Sequence, residues 1–291
     1  MVSFNFAQNE MRRRGQKAEA LIISERPELF DLYLTYQNEA VAARKFLDSS
    51  LSELKDGATI LEVGGGILAL AVQLASEGYI VTVVEPAGKG FTEISFLMQL
   101  YSDLAKLEGL EYKLINSRIE DCDFENQFDF IFSFNVMEHL HDPFAVTTKI
   151  MSSLGKQGRY RFFCPNYDFP YEPHFGKWMF LRKKRAFYLK QSTVSRSNIS
   201  MRDAEGLYET LNFLTLRKIR DYLRQNKIQF DVNSYGLYEL MTRSLTDVGL
   251  QNRHLFLFKL VTLVKKIKLF ELTKYFPVNF QPTMDVTLYK S

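Results

Sequence analysis

Apolar positions early in the chain follow a helical repeat, and from residue 58 onward short β-rich runs take over. Residues 9–55 read as helices, because between Glu28 and Phe46 apolar side chains recur at Leu29, Leu32, Tyr33, Tyr36, Ala40 and Ala43, close to one per turn. Beyond Ala58 strands are predicted over 58–63 (ATILEV), 79–85 (YIVTVVE), 111–115 (EYKLI), 128–134 (FDFIFSF) and 158–164 (GRYRFFC). Helices fit between them at about 67–77, 89–107 and 143–154. Strands alternating with helices predict βαβ units and a parallel sheet, since right-handed crossovers return each strand beside its neighbour. The alternation pauses at PNYDFPYEPHFGKW, which is too rich in Tyr, Phe and charge to be a linker and reads as a cap or substrate-binding insertion. It resumes with a helix near 215–226, a strand at 227–233, amphipathic helices over 236–275 and a closing strand at 284–290. The segments expected are 1–57 (helical), 58–164 (the core of the sheet), 165–212 (cap) and 213–291 (the rest of the sheet with amphipathic helices).

Composition narrows the class. Hydrophobic residues at 46% and charged ones at 24% are ordinary for a globular chain, which argues against disorder. The first residues turn polar and basic before a signal-peptide apolar run can form, so no export is expected. Cys122 and Cys164 stand far apart without a CxxC pair, which supports neither a disulfide framework nor a structural zinc and suits a reducing cytoplasm. A net charge of +3 is too small to indicate nucleic acid, and no nucleic-acid partner is expected. The charge is unevenly spread, however. Lys177, Arg182, Lys183, Lys184, Arg185 and Lys190 form one basic stretch, and Lys259, Lys265, Lys266 and Lys268 punctuate an apolar run that is too short to span a bilayer. Such stretches could attract an anionic acceptor or a membrane surface; the preferred reading makes them the wet faces of helices whose apolar faces cover the sheet.

The most informative local run is Ile60-Leu61-Glu62-Val63-Gly64-Gly65-Gly66-Ile67-Leu68-Ala69. A strand that ends in three glycines and opens into a helix lets a ligand approach the backbone where a Cβ would collide with it. Glu85 follows Gly64 by 21 residues, at the end of the next strand, where a doubly wound fold sets an acid against a ribose diol. Gly64-x-Gly66-x-x-Ala69 also satisfies the loose dinucleotide pattern. Against a nicotinamide cofactor stand the helices before the first strand and Glu62, whose carboxylate suits an ammonium that dinucleotides lack.

Together with Arg118-Ile119-Glu120-Asp121 and FDFIFSFNVMEHLHDP, these motifs resemble the class I S-adenosylmethionine-dependent methyltransferases, in particular the large group that includes the ubiquinone-biosynthesis O-methyltransferases. The resemblance covers about 58–164 and extends to Asn166–Gly176 and the ending QPTMDVTLYK. It implies an α/β fold with a doubly wound, mostly parallel seven-stranded sheet of Rossmann-like type, and S-adenosyl-L-methionine as cofactor. It further implies that Glu62, Gly64, Gly65 and Gly66 contact the methionine moiety and adenosine, that Glu85 holds the ribose, and that Ile119 and Glu120 bracket adenine. Asn135, after the fourth strand, belongs to the same expected set. The chain departs from the pattern at Leu68, where a third spaced glycine is usual, and at Arg118, often Asp. Asn135 also replaces the first acid of an E-x-x-E-H element that can hold a divalent ion, so the resemblance carries over no metal.

Methyl transfer from a sulfonium needs mainly proximity and orientation, and a general base only where the nucleophile is a hydroxyl or similar group. His174 is the expected base, with Glu172 as its orienting partner and His139 as the second candidate; His141 and His254 rank below them. Tyr167, Tyr171 and Phe175 are expected to wall the acceptor pocket. The expected substrate is a small or lipid- or sugar-linked metabolite. The competing readings are a catalytically silent cofactor-binding or scaffolding protein and, third, a nicotinamide-dependent oxidoreductase.

Overall fold

The computed structural model describes residues 2–86, 92–174, 177–178, 209–245, 251 and 255–290. Two long helices come first, α1 (Phe4–Glu25) and α2 (Phe30–Leu51). Strand and helix then alternate: β1 (Thr59–Val63), α3 (Ala69–Ser76), β2 (Ile80–Val84), α4 (Thr92–Leu107), β3 (Lys113–Ile115), β4 (Phe128–Phe134), α5 (Pro143–Ser153) and β5 (Leu154–Pro165). A short pair follows, β6 (Tyr171–Glu172) with β7 (Lys177–Trp178), then α6 (Leu216–Gln225), β8 (Gln229–Val232), α7 (Gly236–Ser244), α8 (Leu255–Lys266) and β9 (Thr283–Tyr289). The main sheet has seven strands in the order β3-β2-β1-β4-β5-β9-β8. β1 pairs parallel with β2 and β4, and β2 pairs parallel with β3. β8 runs antiparallel to β9, so the sheet is mostly parallel, as expected. The chain leaves β1 toward β2 and β3 and then returns to the other side with β4 and β5, which puts the topological switch point, where such folds bind ligands, between β1 and β4.

Boundaries differ from the sequence pattern where tertiary contacts intervene. β3 starts only at Lys113; Tyr112, just ahead of it, hydrogen-bonds Ser102 of α4 at 2.8 Å through its hydroxyl. β5 starts at Leu154, directly at the end of α5, four residues earlier than expected. The run at 236–275 is not continuous helix: α7 and α8 are followed by a 3-10 segment, Phe270–Tyr275.

The chain forms two compact units, Met1–Phe134 with Val146–Tyr160 and Lys290–Ser291, and Asn135–Ala145 with Arg161–Tyr289. In the first, one face of the sheet carries Ile60, Val81, Val83, Phe130 and Phe132 against Leu47, Leu51, Leu70, Leu74, Leu97, Tyr101 and Leu104 of the helices. Two buried arginines attach the N-terminal helices to this core. Arg14 of α1 bonds Glu108 at 2.7 Å and Gln73 of α3 at 2.6 Å, while Arg44 of α2, 1% exposed, forms a two-pronged pair with Glu77 at 2.8 Å. The fork of guanidinium donors matches a carboxylate in two places, which is what makes a buried ion pair tolerable.

In the second unit Asn166 organises the chain. Its side-chain amide donates to the carbonyls of Asn279 and Gln281, its oxygen accepts from the N–H groups of Asp168 and Leu216, and its own N–H reaches Pro282 O. Asn212 does the same for the segment after β4, donating to the carbonyls of Met137 and Leu140 at 2.7 and 2.9 Å.

Candidate cofactor and acceptor sites

Alternation along β1 decides the environment of Glu62. Side chains two apart share a face, so Glu62 lies on the face of Ile60, the one that the helices cover. Its cross-strand partners are Val83 and Phe132, both apolar. The side chain is 4% exposed, its Oε2 has no hydrogen-bond partner among the described residues, and burial, with the nearby Glu85 charge adding, pushes its pKa up to about 8. A buried carboxylate without a partner is costly unless a cation arrives to pair with it.

The glycines follow directly. Gly64 continues the ladder, its N–H reaching Val84 O at 2.9 Å, and both Gly64 (φ +82°) and Gly66 (φ +51°) occupy the left-handed region that glycine tolerates best. The chain's own packing adds a second reason for the glycines: a Cβ on Gly65 would fall 2.3 Å from Val83 Cγ1, and one on Gly66, already at positive φ, would lie 3.2 Å from the Tyr36 ring. Leu68, at the usual third glycine, takes φ +69° as the residue that starts α3. The turn is closed by Glu85: Gly66 N–H donates to Glu85 Oε2 at 3.0 Å. Burial raises the Glu85 pKa, and the backbone N–H groups of Gly66 and Gly65 oppose that rise. Two carboxylates therefore face one glycine turn. A carboxyl poised near its neutral form at Glu62 and a second carboxyl on the turn at Glu85 fit a ligand that carries an ammonium and a ribose diol. Ile119, on the 3-10 turn after β3, is buried, and the neighbouring Glu120 carbonyl accepts from Lys149 Nζ. Arg118 is exposed and lies 3.6 Å from Glu120 and 3.9 Å from Asp121.

In the second unit, the segment after β4 and the one after β5 bring their polar groups together. Asn135 starts the first with φ +58° and an N–H bonded to Phe163 O at 2.8 Å. His174 Nδ1 lies 2.6 Å from Glu172 Oε1, which also accepts from the Tyr167 hydroxyl at 3.2 Å. On its other side, His174 Nε2 stands 4.0 Å from Oε1 of the fully buried Glu138. The His139 ring meets the His174 ring edge to face, centroids 5.0 Å apart, and its Nδ1 lies 3.0 Å from Thr210 Oγ1. Burial, with His174 beside it, pushes the His139 pKa down to about 3. Glu138, His139 and His174 each present one ligand atom, all within 4.8 Å of one another, a set that could hold a metal ion.

Of the tyrosines expected to wall a pocket, Tyr167 is buried, packs its ring edge to face on Phe213 at 5.1 Å and gives its hydroxyl to Glu172. Tyr171 is also buried, its pKa pushed up to about 12 by burial and then by Glu172. Phe175, His254 and the basic residues 182–190 lie outside the described residues, and His141 is exposed. Of the E-x-x-E-H element the sequence leaves Glu138 and His139 and carries over no metal; that His174 joins them in one donor set was not legible there, nor was Thr210, which no local motif signals.

Against this geometry stand the comparisons with known proteins. The model of a methyltransferase domain family matches residues 34–226. An uncharacterised protein of Mycobacterium tuberculosis (strain CDC 1551 / Oshkosh), MT1557, is 34% identical over 254 residues, 87% of this chain and 85% of that protein. Among solved structures, phosphoethanolamine N-methyltransferase 2 of Haemonchus contortus, in complex with phosphomonomethylethanolamine and S-adenosylhomocysteine, aligns with a TM-score of 0.51 at 16% identity. The alignment covers 87% of this chain and 52% of that one, so this chain spans about half of that enzyme's length. A candidate sarcosine dimethylglycine methyltransferase of Galdieria sulphuraria aligns with a TM-score of 0.50 at 16% identity, covering 88% of each chain. The family match spans more than half of the chain and the fold agrees with it: the protein belongs to the methyltransferase domain family.

Proposed function

We propose that this methyltransferase acts on a hydroxyl or similar nucleophile of a small or lipid- or sugar-linked metabolite, with His174 as the base that takes the acceptor's proton. The Glu172–His174 pair carries this reading. Glu172 Oε1 holds Nδ1 at 2.6 Å, which fixes the ring with its proton on that side and leaves Nε2 as the basic nitrogen. Tyr167 steadies Glu172, and the Glu138 carboxylate 4.0 Å from Nε2 favours the imidazolium that proton transfer creates. His139, held neutral, is too weak a base and is assigned a hydrogen-bonding role. On this reading Glu62 would pair with the cofactor's ammonium, Glu85 would hold the ribose diol and Ile119 and Glu120 would flank the adenine, with Gly64, Gly65 and Gly66 shaping the backbone around it. When bound, the cofactor supplies an electrophilic methyl group on a sulfonium that departs as a neutral thioether. The proton that the acceptor hydroxyl gives up would pass to His174 Nε2, whose ring Glu172 holds at Nδ1.

The test is transfer of labelled methyl from S-adenosylmethionine to fractionated metabolites and lipids. His174→Gln is expected to lower the rate by about 10²- to 10⁴-fold while cofactor binding stays intact, and Glu85→Ala to weaken cofactor binding instead. A His174→Gln rate equal to the native one on the identified acceptor refutes the base assignment. The 4.8 Å donor set favours a second reading, in which Glu138, His139 and His174 hold a divalent ion that acidifies the acceptor hydroxyl. Activity lost to a chelator and restored by added zinc or manganese selects it; activity indifferent to chelation leaves the base reading standing.

A further inference from the structure

The helices after β8 were expected to turn their apolar faces toward the sheet, yet the chain from Leu255 to Phe280 does otherwise. In α8, Val261 is buried, whereas Leu260 and Leu263 are 45% and 51% exposed, and Ile267, one turn beyond, is 51% exposed. These three follow i, i+3, i+7 spacing and form one stripe. Leu269, Leu272 and Phe280, in and beside the 3-10 turns that follow, are also exposed, at 46%, 60% and 60%. Isolated exposed apolar residues such as Ile80 and Leu107 are ordinary, but the concentration of such residues in one short segment marks a surface that something covers.

Charge says what covers it. Lys259 and Lys266, seven residues apart, lie on one side of the helix beside the stripe, and Lys265, Lys268 and Lys274 accompany them, against Glu271 as the only acid between 255 and 280. Glu271 is already paired with Lys274 at 2.6 Å. A second copy of the chain on this face would set two net-positive patches against each other, since an isologous interface uses the same patch on both copies and this one holds five lysines and one acid. An anionic bilayer presents the complementary combination, hydrocarbon beneath a layer of negative headgroups, and a helix of this kind lies in that boundary with lysines reaching up to the phosphates. No helix among the described residues is long and apolar enough to cross a membrane, so the protein would rest on the bilayer.

We propose that the Leu255–Phe280 surface docks the protein on an anionic lipid bilayer. The proposal stands independently of the acceptor and of the base assignment, because none of these residues belongs to the cofactor or histidine clusters.

The full chain is sedimented with vesicles of phosphatidylcholine alone and with equimolar phosphatidylcholine and phosphatidylglycerol, at low and high salt. The native protein is expected to partition into the anionic vesicles at least about tenfold better, with binding weakened by salt. Leu260→Asp with Leu263→Asp is expected to abolish binding, and Lys259→Glu with Lys266→Glu to remove its dependence on anionic lipid. Unchanged thermal midpoints and cofactor binding show that both variants fold. Equal, salt-insensitive binding to both vesicle types overturns the proposal. So does absence of vesicle binding, and there a native dimer that Leu260→Asp with Leu263→Asp converts to monomer assigns the surface to contact between copies.

Discussion

Replacing Glu62 by glutamine keeps the shape of the side chain and removes its titration. In the native protein the carboxyl ionises at about 8 instead of the ordinary 4.5, because it is buried between the apolar strands of Val83 and Phe132 with Glu85 nearby. A folded-state pKa above the unfolded one means that the folded protein holds the proton more tightly. The associated stability is fully present below about 4.5 and is lost as pH rises toward about 8, at about 1.4 kcal/mol per pH unit. Between pH 4.5 and pH 7.5 the native protein therefore loses about 4 kcal/mol that Glu62→Gln keeps, so the variant becomes progressively the more stable of the two without ligand. S-adenosylmethionine reverses the order. Its ammonium pairs with the ionised carboxylate, so native affinity is expected to rise with pH between about 5.5 and 7.5, with release of a proton, while the variant binds about 10- to 100-fold more weakly near pH 7.5 and without that slope. Urea denaturation across this range reads the first effect, and calorimetry in buffers of different ionisation enthalpy reads the second. Parallel stability profiles for native and variant protein from pH 5 to 8, or cofactor binding with no proton release, would refute the reasoning.

Gly65→Ala places a methyl 2.3 Å from Val83 Cγ1 and is expected to lose about 1–3 kcal/mol of stability together with cofactor affinity; Val83→Ala in the same chain should recover part of both, and strict additivity in a double-mutant cycle would show that the two positions do not touch. Arg44→Ala, which leaves the buried Glu77 carboxylate without its partner, is expected to lose about 3–5 kcal/mol in denaturant unfolding, whereas Arg44→Met with Glu77→Leu should retain most of the native stability; a loss below about 1 kcal/mol for Arg44→Ala would mean that water reaches Glu77.

Much of this protein was legible along the chain, for local reasons. The change from helical to two-residue periodicity at Ala58 encodes the alternation, and the interval from Gly64 to Glu85 encodes one strand-turn-helix unit that returns a carboxylate to the glycine turn, where Gly66 N–H meets it at 3.0 Å. Those features depend on neighbours within a few tens of residues, and motif spacing records them. The remainder depends on which surfaces meet. Burial on the helix-covered face, and not the residue type, holds Glu62 near its neutral form, and Val83, on another strand, leaves no room for a side chain at Gly65. Glu138 and His139 join His174 and Glu172 from about 35 residues away because Asn212 ties the Met137–Leu140 loop in place. The stripe at Leu260, Leu263 and Ile267 has the spacing of a core-facing helix, and only the tertiary structure turns it outward. Periodicity specifies that a face is apolar; what that face is buried against depends on the three-dimensional packing of the whole chain.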